Sequence, residues 1–550
     1  MIHFKCNRRS VMHSQIQQRR KIMKLFKRMI SLLLVLCFIG VCLVACGNKP
    51  DGNETEASGE GNNENKVTET ETNIYGEPSF TSVVPVQDID FEGEELTVLL
   101  RNNEVTLREW YKESPEDELD EAVAMRNVAV EETLNVKLDY EIFNYGEWNA
   151  STALVNSMIF DDVMQDLHYY DIAVHWALAG GYASIRDCNA NLLDKETFPY
   201  FDFSLPCWNQ SIVDTTVNNR LHLIAGDINI SQFDYAVVIW YNKTLYDKKK
   251  DATDHDDIQD LALEGNWTYD ELYRWATKLQ EDSNGTPGNQ VDDTYGFATL
   301  INDNFQPVPK DAVAAAFDID LLIENPDGTH SYNILGNEKA AKAREMWINL
   351  LDANGSTDDA SVANFASGKY LFYANMMYPG KDENMTIREM SDKYGLLPMP
   401  KYNADQEQYY TAAYDAYSLM SVLDHSESTL PTKGKAISAY LQLATEESYT
   451  SVRGYYFNRI VKPKYFGTDD SLGTVTKSVQ LFDIIISNIT FDFWTIYSNQ
   501  LGDLTWAWRT SLLSDWSSLE AQYLSRQTEF DEKLLEMDEW FGLIEVDDAE

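Results

Sequence analysis

ELTVLL (Glu95–Leu100), SPEDELDEAVAMRNVAVEETLN (Ser114–Asn135) and VKLDYEI (Val136–Ile142) follow one another in a single stretch. Apart from Thr97 the first run is apolar after Glu95 and reads as a buried strand. In the second, Ser114 stands as an N-cap, Pro115 at the first helical position and acids in the first turn. Leu119, Val123, Val130 and Leu134 then share one helical face. Asn135 ends the helix, and Val136, Leu138, Tyr140 and Ile142 alternate as a strand. Strand, helix, strand predicts a βαβ unit and a parallel sheet.

Upstream, an apolar run from Leu32 to Ala45, broken only by Gly40, follows Arg19, Arg20, Lys21, Lys24, Lys27 and Arg28. A basic segment, a short apolar segment and a small residue before the cleavage point make an export signal. Leu43-Val44-Ala45-Cys46 resembles the bacterial lipobox, so Cys46 is the expected lipid attachment point. A plain membrane anchor is the alternative, at the lower edge of a spanning length. Met23 opens a better-proportioned leader than Met1. Gly47 to Pro78 is rich in Gly, Asn, Glu, Thr and Ser and reads as a disordered tether.

The chain has 550 residues, 44 Lys+Arg and 89 Asp+Glu, for a net charge of −45. Nine basic and no acidic residues precede Cys46, so loss of that segment takes −45 to −54. Such a surface repels nucleic acid and anionic headgroups. Beyond the signal only Cys188 and Cys207 remain besides Cys46, either paired or free, and no CxxC or Cys/His cluster suggests structural zinc.

Further along, Asp171–His175 reads as a strand. Val237–Trp240 is another, running into Tyr241-Asn242-Lys243. Thr268 and Glu271 form an expected capping box, with Leu272, Trp275, Ala276 and Leu279 as the buried stripe. Gly368–Ala374 is a strand, Tyr394–Lys401 is extended around its prolines, and Tyr417–Val422 crosses again. From Lys435 onward the pattern is mainly helical, with turns expected at Lys462-Pro463 and Gly467.

These segments, in this order, resemble the extracellular solute-binding proteins of family 1, the maltose-type binding proteins of ABC importers. The segments are DIAVHWALAGGYASI (Asp171–Ile185), VVIWYNKTLYD (Val237–Asp247), EGNWTYDEL (Glu264–Leu272), Gly368–Tyr378 and YGLLPMPK (Tyr394–Lys401). One departure is Met376-Met377, where the family has Gly-Pro before its aromatic. The resemblance implies an α/β, type II, two-lobe periplasmic-binding-protein-like fold. Each lobe would be a mainly parallel sheet flanked by helices, with a cleft between. The expected division is residues 1–45 signal, 46–85 tether, 86–240 and 418–475 lobe 1, 241–417 and 476–545 lobe 2. The implied function is capture of a ligand, an oligosaccharide first of all, for ABC permease subunits at the outer face of the cell membrane. The protein would be a monomer with no cofactor.

Sugar sites combine aromatic platforms with polar rims. Trp176, Tyr378, Trp494 and Trp148 lie near expected strand ends or loops. With Asn102, Tyr414 and Asp415 they form the expected ligand-binding set. Trp176 leads it, with Ala177, Ala179, Gly180 and Gly181 too small to crowd its ring. Trp267, Trp275, Trp506, Trp508 and Trp516 are expected in the core. No Gly-x-Ser-x-Gly, HExxH or P-loop occurs, so no enzyme is expected. The six His beyond the leader, among them His168 and His425, show no ligand-pair spacing, and Asp254-His255-Asp256-Asp257 reads as a solvated helix start. The alternatives are a lipid-anchored glycoside hydrolase and a surface or sensory lipoprotein without transport.

Overall fold

A computed structural model describes residues 80–544, apart from 113, 145–147, 280–292, 300–309, 354–355, 358–359, 379–385, 427 and 467–475. The signal, Cys46 and almost all of the expected tether lie outside the described residues. The strands used below are β1 (Glu94–Arg101), β2 (Val136–Phe143), β3 (Ile172–Trp176), β4 (Val237–Asn242), β5 (Tyr295–Thr299), β6 (Tyr370–Met376), β7 (Tyr394–Pro398) and β8 (Ser418–Val422). The helices are α1 (Glu104–Trp110), α2 (Glu118–Leu134), α3 (Trp148–Met164), α4 (Ala177–Ser184), α5 (Tyr269–Lys278), α6 (Lys310–Ala316), α7 (Leu430–Glu447), α8 (Lys477–Ser487) and α9 (Leu504–Ser511).

The βαβ unit forms as its pattern dictates. β1 and β2 pair in parallel from Glu94 opposite Val136, and β3 joins the other edge of β1 in parallel. Leu96, Val98, Leu99 and Leu100 are all fully buried, because helices cover both faces. The helix start differs from expectation. Asp117, not Ser114, is the N-cap, accepting from the amides of Leu119 and Asp120 at 3.0 Å. A carboxylate there satisfies two free amides and complements the helix dipole. Asn135 closes α2 in the left-handed region at φ 52°, which asparagine tolerates.

Two sheets result. The first runs β8-β3-β1-β2 and the second β7-β4-β6-β5, with Ser356–Thr357 beyond β5. Only β8 runs against its neighbour in the first sheet. The second is evenly mixed rather than mainly parallel, since β4 runs antiparallel to both β6 and β7. β4 and β8 are the strands by which the chain passes from one sheet to the other, and each enters its new sheet against the local direction. All six residues of β4 lie in the second sheet, so the expected boundary after Trp240 falls inside that strand. α7 packs Ile437 and Tyr440 into the first core, and α8 packs Leu481, Phe482 and Ile485 into the second.

Two other local expectations change. Thr268 caps α5 without a side-chain bond, and Glu271 instead pairs with Arg274 at 2.6 Å. The Lys462-Pro463 turn is absorbed into a π-helical segment, Tyr456–Phe466, whose wider turn accommodates the proline. Gly467 lies outside the described residues. Cys188 and Cys207 are both free and buried, and burial pushes the Cys188 thiol up to about 12.

Gly181 fixes one seam. A Cβ there would stand 2.2 Å from the carbonyl oxygen of Ile496, because α4 lies directly on the Ile496–Tyr497 backbone. Gly181→Ala is therefore expected to cost about 1–3 kcal/mol of stability through overpacking. Denaturant unfolding checks this, and an unchanged midpoint would mean that the seam yields.

Candidate ligand-binding cleft

The two crossings are built from Ile230–Ala236, leading into β4, and Tyr414–Tyr417, leading into β8. Three buried arginines hold them. Arg101, the last residue of β1, donates to the Ala416 carbonyl at 3.0 Å. Arg108 of α1 pairs with buried Asp234, which also accepts from the Tyr456 hydroxyl. Arg509 of α9 forks onto Asp311 at 2.7 and 2.5 Å and reaches Asp415 at 2.5 Å. Burial alone would lower the Arg509 guanidinium, but the two carboxylates more than reverse this and hold it charged. Buried Glu109 adds a link, accepting from the Ser231 amide, while the Ser231 hydroxyl accepts from the Ser418 amide at 2.9 Å.

Half-buried aromatic groups line this charged floor. Tyr378, just past β6, donates its amide to the Asp234 carbonyl at 2.8 Å. Its ring lies 4.5 Å from the Arg108 guanidinium, and its hydroxyl is 3.4 Å from Glu104. The second sheet thus touches α1 of the first. Tyr414 stands edge-on to Tyr235 with centroids 5.6 Å apart, joining the two crossings.

A cavity of about 630 Å³ opens between α3, α4 and the turn before α9. Phe160, Leu178 and Tyr182 supply its apolar wall, and Asn156, Asn499 and Asp503 its polar groups. Arg186 stacks on Tyr182 at 3.5 Å, and the buried Asn156 Oδ1 has no partner among the described residues. Rings beside unsatisfied polar atoms suit a hydroxylated ligand with one apolar face. A second cavity of about 310 Å³ holds Asp320, Glu324, His330, Asp492 and Trp494.

This chain is similar in structure to the cyclic alpha-maltosyl-1,6-maltose binding protein from Arthrobacter globiformis. That match is 12% identical with a TM-score of 0.51, over 80% of this chain and 99% of the other. The sugar-binding protein MalE from the phytopathogen Xanthomonas citri is also similar, at 12% identity and TM-score 0.51, over 82% and 100%. The chain has the type II solute-binding-protein fold. No family model and no curated protein matches its sequence.

Within the solute-binding fold the expected residues scatter. Tyr414 and Asp415 sit together at the second crossing, and Tyr378 meets the first crossing at Asp234. Asn102 is exposed at the end of β1, its amide bonded to the Phe143 carbonyl at 3.0 Å. Trp148 opens α3, but its side chain is outside the described structure. Trp494 is 3% exposed, with a buried Nε1 that has no partner among the described residues, and lines the smaller cavity.

Trp176 is a correction. It is 0% exposed, packed among Leu99, Phe143, Val155 and Ile159, with Arg101 over its ring at 5.0 Å. It ends β3 itself rather than following it, so the indole drops into the core. The small residues after it serve helix packing: a Cβ on Gly180 would meet Leu223 at 2.9 Å. Trp267, Trp275 and Trp508 are core as expected, whereas Trp506 and Trp516 are 36% and 41% exposed. Phe160, Asn499 and Asp503 were missed, having no motif. Tyr182 lay inside a quoted segment, where its ring was overlooked in favour of Trp176.

Trp176→Ala should cost about 3–5 kcal/mol of stability. Paired Tm and calorimetric Kd measurements check it, and a variant losing affinity at unchanged Tm would return Trp176 to the cleft. Burial, with Asp320 and Asp311 nearby, pushes Asp492 up to about 7. A carboxyl raised on folding contributes stability that is present below about pH 4 and lost as pH rises through about 7. Asp492→Asn should therefore raise Tm at pH 8 and do so much less at pH 4. An equal effect at both would contradict the shift.

Proposed function

We propose that the chain is a lipid-anchored solute-binding protein of the maltose-type family. It captures a carbohydrate, an oligosaccharide first of all, between its lobes and delivers it to ABC permease subunits at the outer face of the cell membrane. The observation that carries this is the cavity in which Phe160 and Tyr182 stand beside Asn156, Asn499 and Asp503, on a fold shared with sugar-binding proteins. Its walls come from chain segments more than 300 residues apart, so a ligand there ties them together. A ligand that touches both sides shifts an open–closed equilibrium by its differential affinity. The lipobox at Cys46 supports the anchor, and the acidic surface argues against nucleic acid. Binding needs no chemistry, so the protein acts as a monomeric carrier without cofactor.

A thermal-shift screen against maltooligosaccharides and cyclic glucans is the direct test. A ligand at 100 times its Kd adds about 2.7 kcal/mol. Phe160→Ala and Tyr182→Ala should each weaken the active glycan by about 1–3 kcal/mol, with X-ray scattering showing compaction only for the wild type at low ligand. Steady cleavage of that glycan would favour a glycoside hydrolase instead. Cys46→Ala should abolish lipidation and membrane retention; a variant still retained and of lipidated mass would refute the anchor.

A further inference from the structure

The end of the first sheet opposite the cleft gathers a second set of side chains. β3 runs toward the cleft and β8 away from it, with Val422 opposite Ile172. The turn before β3 and the turn after β8 therefore meet at one edge. His168 lies in the first turn and His425 in the second, so residues far apart in sequence become neighbours. Their rings stand edge to face with centroids 4.8 Å apart.

His425 is 4% exposed. Its Nε2 lies 3.2 Å from Asp162 Oδ2 and 3.3 Å from the Tyr170 carbonyl. Both are acceptors, since the buried Asp162 carboxylate already takes the Tyr169 and Tyr170 amides at 2.7 and 3.2 Å. In the neutral imidazole Nε2 then carries the proton, which leaves the lone pair on Nδ1. That Nδ1 is buried without a hydrogen-bond partner among the described residues. A carboxylate orienting one imidazole nitrogen while the other stays free is how metal-binding histidines are held.

His168 differs in having a neighbour at each ring nitrogen. Its Nδ1 is 3.5 Å from the Thr429 hydroxyl, and its Nε2 is 3.2 Å from Asp166 Oδ1. One donor atom each from Asp166, His168 and His425 falls within 4.8 Å of the others. Two ligands at about 2.0–2.1 Å from a tetrahedral ion stand about 3.3 Å apart, which the His168–Asp166 pair already matches. Two imidazoles and one carboxylate favour zinc over calcium or magnesium, which take oxygen sets.

We propose that Asp166, His168 and His425 bind a zinc ion, with Asp162 positioning His425. The site shares no residue with the lining of the sugar cavity. It clamps the turn before β3 to the segment that leads into α7, where Ser428 already donates to Asp166 at 2.9 Å. Three protein ligands leave a fourth position for water.

The test is calorimetric titration of the chelator-stripped full chain with zinc chloride in excess magnesium and calcium. Those ions occupy the scattered surface carboxylates but compete poorly for imidazole. One zinc per chain and a raised Tm are expected. His168→Ala, at an exposed position, should lose the site, and Asp162→Asn should weaken it about 10–100-fold. Absence of a stoichiometric site, or wild-type affinity in both His168→Ala and Asp166→Asn, overturns the proposal.

Discussion

The guanidinium of Arg509, buried between Asp311 and Asp415, is the interaction on which the cleft depends. Asp415 belongs to the second crossing, Asp311 to α6 and Arg509 to α9, so one side chain joins three segments that are distant in sequence. Removing three charges from water costs several kcal/mol per ion, and only close, forked geometry offsets it. Such a cluster adds little net stability over an apolar replacement, but it admits one arrangement of the crossing. Losing one member would leave the others charged and buried.

Arg101 and Arg108 act likewise from the first sheet. Arg101 ties the end of β1 to the backbone at Ala416 while lying over Trp176. Arg108 ties α1 to Asp234 and Tyr378. The seam between the sheets is thus held by paired charge and tyrosine hydroxyls rather than by aliphatic packing alone. Polar pairs of fixed geometry give a hinge a defined path, whereas a purely apolar seam would tolerate sliding.

Much of the architecture was legible because it is carried by sequence neighbours. The period-2 and period-3.6 patterns of β1, α2 and β2, the apolar runs of β3, β4 and β8, and the stripe of α5 depend on residues a few positions apart. Caps were less legible. Ser114 and Asp117 are both good N-caps, and which one serves was decided by where the chain leaves β1 and packs α2. The site was least legible. Trp176 lies one position further into the strand than its pattern implies, and its exposure depended on whether Arg101 and α3 close over it, which no local pattern states.

What the sequence by itself determined is the alternation of strands and helices, since it is written in short-range periodicity. Only the tertiary structure decided which rings face a cavity, which carboxylates share Arg509, and that His168 meets His425. Burial and proximity are set by strand order and direction. The antiparallel pairing of β8 with β3 turns a separation of 257 residues into the 4.8 Å between those two rings.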